Sequence, residues 1–197
     1  MSFSIEELSK RWVEQKFEAF HQEPEYFLKL GQYYLKQYEP LLAYDVFIHA
    51  TDVVTEADSM HGSIQYYLAL SLLESGNEIA AIERLDELLR LESDNSSDIE
   101  GALGRAYKQK GLSSSDLIEA ASDFKKAGNI YQKAYKEARK QERLHDSYYH
   151  GINLAFLMLC QGVHRDACEL SQEVIRICEG LLEAQTDSDD EFLGVAL

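Results

Sequence analysis

Proline is nearly missing. Pro24 and Pro40 are the only two in 197 residues. A β-sandwich or barrel of this length needs turn punctuation about every 8–12 residues, so the scarcity argues against one. Positive charge is also short, with 19 Lys and Arg against 35 Asp and Glu, a formal net charge of −16. Such a chain repels nucleic acid and anionic lipid unless it segregates its cations. No apolar stretch approaches the ~20 residues that a membrane span requires. The opening MSFSIEELSKRW lacks the basic segment and apolar run of a secretory signal. Cysteine occurs three times, at Cys160, Cys168 and Cys178. An odd count spaced along predicted helices reads as small buried hydrophobes in a reducing compartment. These shortages together predict a cytoplasmic chain. A hydrophobic content of 45% is enough to build a core.

What is present is helical periodicity from end to end. Ser4 and Glu7 form a capping-box pattern, and Ile5, Leu8, Trp12 and Phe20 come after them at helical spacing. This leading helix is expected to span 1–22, because Pro24 suits the start of the next helix. From residue 23 to 184 the chain divides into four helix pairs. Leu30-Gly31, Leu68-Ala69, Leu103-Gly104 and Leu154-Ala155 open them, and Ala43, Ala81, Ala127 and Ala167 answer from the second helices. Small residues let two antiparallel helices approach, while large ones fill the groove toward the next pair. That alternation over about 34 residues is the tetratricopeptide pattern. It predicts an all-α chain, an α-solenoid of tetratricopeptide-like antiparallel helix pairs, with Gly104 facing Ala127 across the third hairpin. The third pair is the longest: a turn is expected at Gly111, and a helix opening at Asp116 runs to about Gln141. Residues 185–197 read as an acidic tail and the start of a truncated helix.

Two stretches resemble a particular family. Leu103-Gly104-Arg105-Ala106-Tyr107-Lys108, with Ala121 to Ala127 after it, is one. Tyr148-Tyr149-His150-Gly151-Ile152-Asn153, with an apolar helix and Gly162 after it, is the other. Over roughly residues 98 to 180 they resemble the TRAF-binding-type central regulatory region of apoptosis signal-regulating kinases and related bacterial tetratricopeptide proteins. The resemblance implies a helical regulatory scaffold that binds signalling partners and positions a neighbouring effector. The sequence itself carries no kinase glycine loop, Asp-Phe-Gly or toll/interleukin-receptor-type segment.

The chemical motifs read blandly. His164-Arg165-Asp166 has neither the downstream Asn nor the phosphate loop of a kinase. Asp166 suits a helix first turn instead. Around His145, Asp146 and His150 no complete ligand set with a plausible second shell is apparent, and a solvated turn is the expected setting. No catalytic residue, metal or cofactor is expected. The basic cradle of a chaperone-tail clamp is missing from the first two pairs. Between Arg105 and Arg143, however, ten Lys and Arg stand against five Asp and Glu, a local +5, which leaves −21 for the rest. Lys125, Lys133, Lys136, Lys140 and Arg143 on one face read as a solvated helix surface.

The reading is a non-enzymatic protein–protein interaction scaffold with a regulatory or signalling role. The alternative is a regulatory fragment that controls an effector enzyme on the same or an adjacent polypeptide; a weaker one is an RNA-binding helical repeat. The first helices of the pairs are expected to line a concave groove carrying Gln32, Lys36, Tyr66, Arg105, Lys108, Tyr149 and Asn153. Arg105 and Lys108 form a positive spot in a negative field, suited to a protein or peptide partner bearing carboxylates. Asn153 either pairs with a peptide backbone or makes an internal bond.

Overall fold

The computed structural model describes residues 3–91 and 96–194, with only the backbone course for 96 and 184–194. The helices are α1 (Ile5–Val13), α2 (Glu18–Gln22), α3 (Glu25–Lys36), α4 (Pro40–Ala50), α5 (His61–Glu74), α6 (Glu78–Leu91), α7 (Ser96–Ser113), α8 (Leu117–Lys140), α9 (Leu144–Cys160) and α10 (His164–Gly194). The chain is 81% helical, with no strand among the described residues. It divides into two compact units, 1–102 and 103–197.

In the first unit, α1 starts at the expected box: Glu7 N–H donates to Ser4 Oγ at 3.3 Å, and Ser4 N–H donates to the Glu7 carboxylate at 3.0 Å. The expected single leading helix is broken, however. Gln15 takes a left-handed φ of 56°, and α2 comes next as a separate short helix. The break lets Phe17 fold back on Trp12, their rings edge-on at 4.9 Å, while Phe20 and Phe27 close on the same indole. Pro24 caps α3 and Pro40 occupies the first turn of α4. α3 packs on α4, α4 on α5 and α5 on α6. A Cβ on Gly31 would fall inside the fully buried Phe47 ring, so only glycine admits this crossing. Phe47 also stacks on Tyr67 of α5 at 5.7 Å, which ties the two pairs together.

The second unit repeats the device. A Cβ on Gly104 would meet the Tyr131 ring at 2.9 Å, so the small residue of α7 faces this ring, one turn on from Ala127. Ala127 is still fully buried, in a cluster with Tyr131, Leu154 and Leu157. α8 is the long helix expected; Asp116 caps it by accepting from Ile118 N–H at 2.7 Å and Glu119 N–H at 3.2 Å. Gly111 lies inside α7 against Phe124, not in the turn, so the hairpin bends two residues later than its glycine suggested. α8 packs on α9, and α9 on α10. α10 continues through Gly194, so the acidic segment 185–194 extends a helix instead of opening a new one; 195–197 lie outside the described residues. The cysteines are free, and Cys160 and Cys168 are exposed, because both fall on outward positions of α9 and α10 and not in the core expected for them.

Candidate functional site

Four of the expected groove residues lie in the second unit, and the fold joins them. Arg105 and Lys108 stand one turn apart on α7; Tyr149 and Asn153 stand one turn apart on α9. Lys108 reaches across, and its Nζ donates to Asn153 Oδ1 at 2.6 Å. The ammonium also lies 5.8 Å from the centre of the Phe156 ring. The Asn153 amide in turn donates to the Tyr149 carbonyl at 2.8 Å. Asn153 sits mid-helix with both ends of its side chain engaged, and so holds Lys108 in place. Tyr149 turns its ring edge-on to Tyr131 at 6.3 Å and to His150 at 5.3 Å.

The electrostatics of this corner are unfavourable to Lys108. Burial pushes its ammonium below the ordinary lysine value, and the charge of Arg105 pushes it the same way. No carboxylate forms an ion pair with Lys108 among the described residues. Tyr131, fully buried beneath, has its phenol pushed well up, first by burial and then by Tyr149, with Arg105 opposing.

Sequence reasoning missed the apolar half of this surface. Ile152, Phe156 and Leu159 are 47%, 41% and 50% exposed, along one side of α9 next to Asn153. Their helical spacing reads as core, and spacing alone does not tell a buried stripe from an open one. Tyr148 and Tyr149 are both partly exposed.

In the first unit, Gln32 is half-buried and Lys36 exposed, one turn apart on α3. Tyr66 is half-buried on α5, edge-on to Tyr67 at 5.3 Å. These three belong to a separate compact unit from the other four.

The remaining motifs fall into structural settings. His145, Asp146 and His150 all lie within α9, not in a solvated turn. His145 packs against Tyr148, Asp146 pairs with Arg143, and His150 is buried against Tyr131. Asp166 occupies the first turn of α10. Lys125, Lys133, Lys136 and Lys140 are exposed on α8, whereas Arg143 lies beyond its end. No cluster of metal-ligating side chains occurs among the described residues, and none of their helices is long and apolar enough to cross a membrane.

A family model described as Tetratricopeptide Repeats-Sensor matches residues 35–158, a span holding six of the seven groove residues and leaving out Gln32. No curated protein matches the sequence. Among solved structures, a single-substitution form of the nearly identical TPR-like repeats of a Podosopora anserina kinesin light chain aligns at a TM-score of 0.68 and 16% identity, over 91% of this chain and 87% of that one. Another structure of such repeats from Podosopora anserina aligns at 0.41 and 14% identity, over 84% and 96%. At these identities the likeness is one of fold.

Proposed function

The chain belongs to the Tetratricopeptide Repeats-Sensor family, and from that premise we propose that it is a non-enzymatic scaffold with a regulatory role, binding a protein partner through the α7–α9 face. Tetratricopeptide repeats generally mediate protein–protein interaction. One observation carries the choice of face: Lys108 is held half-buried beside Arg105 and the open apolar residues Ile152 and Phe156. A cation kept in such a place costs stability, and perturbed groups of this kind gather at binding sites. Gln32, Lys36 and Tyr66 offer a candidate surface of their own in the first unit. No cofactor or metal is needed for this role, and the free cysteines fit a cytoplasmic setting.

A second reading makes the chain the regulatory part of an effector encoded on the same or an adjacent polypeptide. It draws on the sensor description of the matching family and on the likeness of Leu103–Lys108 and Tyr148–Asn153 to the regulatory region of apoptosis signal-regulating kinases.

The test is affinity capture with mass spectrometry, comparing the intact chain with an Arg105→Ala, Lys108→Ala variant. The proposal expects a partner retained by the first and lost by the second, with binding that weakens as salt rises. Equal capture by both would remove the face from consideration.

A further inference from the structure

The cations of this acidic chain gather on one helix. α8 carries six Lys and Arg against three Asp and Glu, in a chain of net charge −16. Lys125, Asn129, Gln132 and Lys136 recur on it at intervals of four, three and four residues, so they form one exposed stripe, with Lys133 and Lys140 along its flank. No carboxylate of α8 interrupts this stripe. Asp123 is buried and paired with Lys110 and Lys126, and Glu119 and Glu137 lie about a third of a turn round the helix. Beside the stripe, between α8 and α9, is a cavity of about 410 Å³, within the roughly 300–1,000 Å³ of ligand clefts. Leu154, Leu157 and Met158 of α9 make its apolar floor, and Lys125, Asn129 and Gln132 stand on its α8 side. Gln161 bridges the two helices there, its side-chain amide donating to the Phe124 carbonyl at 3.3 Å. Among the described residues, no carboxylate and no aromatic ring lines this cavity. Helical spacing puts Leu154, Met158 and Gln161 on the other side of α9 from Ile152, Phe156 and Leu159, so the cleft is separate from the α7–α9 face.

We propose that the α8–α9 cleft is a second docking site, for an acidic segment of a protein partner that carries one large apolar side chain. That side chain enters the cavity over Leu154, Leu157 and Met158. The carboxylates meet Lys125 and Lys136, and the amides of Asn129 and Gln132, each both donor and acceptor, pair with the segment's backbone. A nucleic acid strand fits less well. Its bases find no ring to stack on in the cavity, and its phosphates approach a chain of net charge −16. A scaffold with docking sites on two sides of α9 can hold two segments at once.

Fluorescence anisotropy of the full chain at low salt tests this with three labelled probes: a glutamate-rich peptide with one central leucine, the same peptide with alanine there, and a single-stranded oligonucleotide of equal charge. The proposal expects the leucine peptide to bind about tenfold tighter than the alanine peptide, to bind tighter than the oligonucleotide, and to weaken as salt rises. Two variants locate the site. Gly128→Leu fills the cavity from α8, where a Cβ would meet only the Gln161 amide, at an ordinary 3.5 Å. It should bring the leucine peptide down to the alanine peptide's affinity while the melting temperature holds or rises. Lys125→Glu with Lys136→Glu, both on exposed positions, should weaken both peptides and leave the fold intact. Equal affinity for the two peptides overturns the proposal, as does no binding of either, an oligonucleotide bound as tightly as the leucine peptide, or binding untouched by the two lysine changes. Arg105→Ala with Lys108→Ala should leave the leucine peptide bound as before. Loss of binding in that variant would put the peptide on the α7–α9 face, and so would overturn this site while supporting the other.

Discussion

The two units meet the same packing requirement with different materials. In both, a glycine on the first helix of a pair lets a ring from the second helix press against backbone, Gly31 under Phe47 and Gly104 under Tyr131. Around that shared contact the first unit is aromatic, with Trp12, Phe20, Phe27 and Phe47 buried together. The second unit is built on alanine, with Ala120, Ala127, Ala134 and Ala138 buried along α8; it buries Asp123, Ser147 and His150, where the first unit buries Ser71 and Glu100. An aromatic core mainly supplies stability. Buried polar groups are more demanding, since each must keep its partner. The difference accords with the proposal that the second unit carries recognition while the first anchors the fold.

The largest effect is expected from breaking the anchoring side. Phe47→Ala removes the ring that fills the Gly31 crossing and stacks on Tyr67, at an expected cost of ~3–5 kcal/mol in chemical denaturation. A loss under ~1 kcal/mol would show that the first unit does not depend on this ring.

On the other side, Lys110→Met leaves the carboxylate of Asp123, nearly inaccessible in the core, with Lys126 at 3.6 Å as its remaining cation. Breaking a buried pair costs ~3–5 kcal/mol, but Lys110 is itself partly exposed and Lys126 stays, so about 2 kcal/mol is expected. Restoring the charge with Arg should recover much of it.

Gly104→Leu should overpack the α7–α8 crossing against Tyr131 and cost ~1–3 kcal/mol. A second change, Tyr131→Leu, should relieve part of that loss. Relief by shrinking Ala127 to Gly instead would favour the opposition expected from the spacing over the one observed.

The smallest effect is one of pH. Burial first, and Glu173 second, push the Tyr135 phenol up to about 12. A phenol raised on folding contributes stability that is full below its unfolded value near 10 and is lost as pH rises through about 12. The second unit should therefore weaken over this alkaline range, and Tyr135→Phe should flatten the loss. Identical alkaline melting curves for the two chains would contradict this.

The helix pairs are legible in the sequence because small and large residues alternate at fixed spacing, which constrains packing directly. The long α8 is legible because Asp116 is an effective cap and no proline interrupts the helix behind it. The break after α1 is not, since Gln15 in a left-handed conformation leaves no compositional trace. The spacing marks Gly104 as a close crossing but not that Tyr131 fills it, because helical period fixes a face and not which large residue crosses it. Repeat register alone brings Arg105, Lys108, Tyr149 and Asn153 together. The roles within that group need coordinates. Asn153 has the chemistry to read a peptide backbone, yet it engages both ends of its side chain internally. The open stripe of Ile152, Phe156 and Leu159 is not legible, because exposure depends on what the neighbouring helix leaves uncovered.

The central claim is that the second unit keeps Lys108 for a ligand and at a cost to its own fold. Thermal unfolding of Lys108→Met beside the wild type tests this most directly. Methionine keeps the length and apolar contacts of the side chain and removes the charge that burial and Arg105 disfavour. The account predicts a melting temperature equal to or above that of the wild type, together with weaker association at the α7–α9 face. A melting temperature several degrees lower would mean that Lys108 is a structural residue held by Asn153, and would contradict the assignment of recognition to this unit.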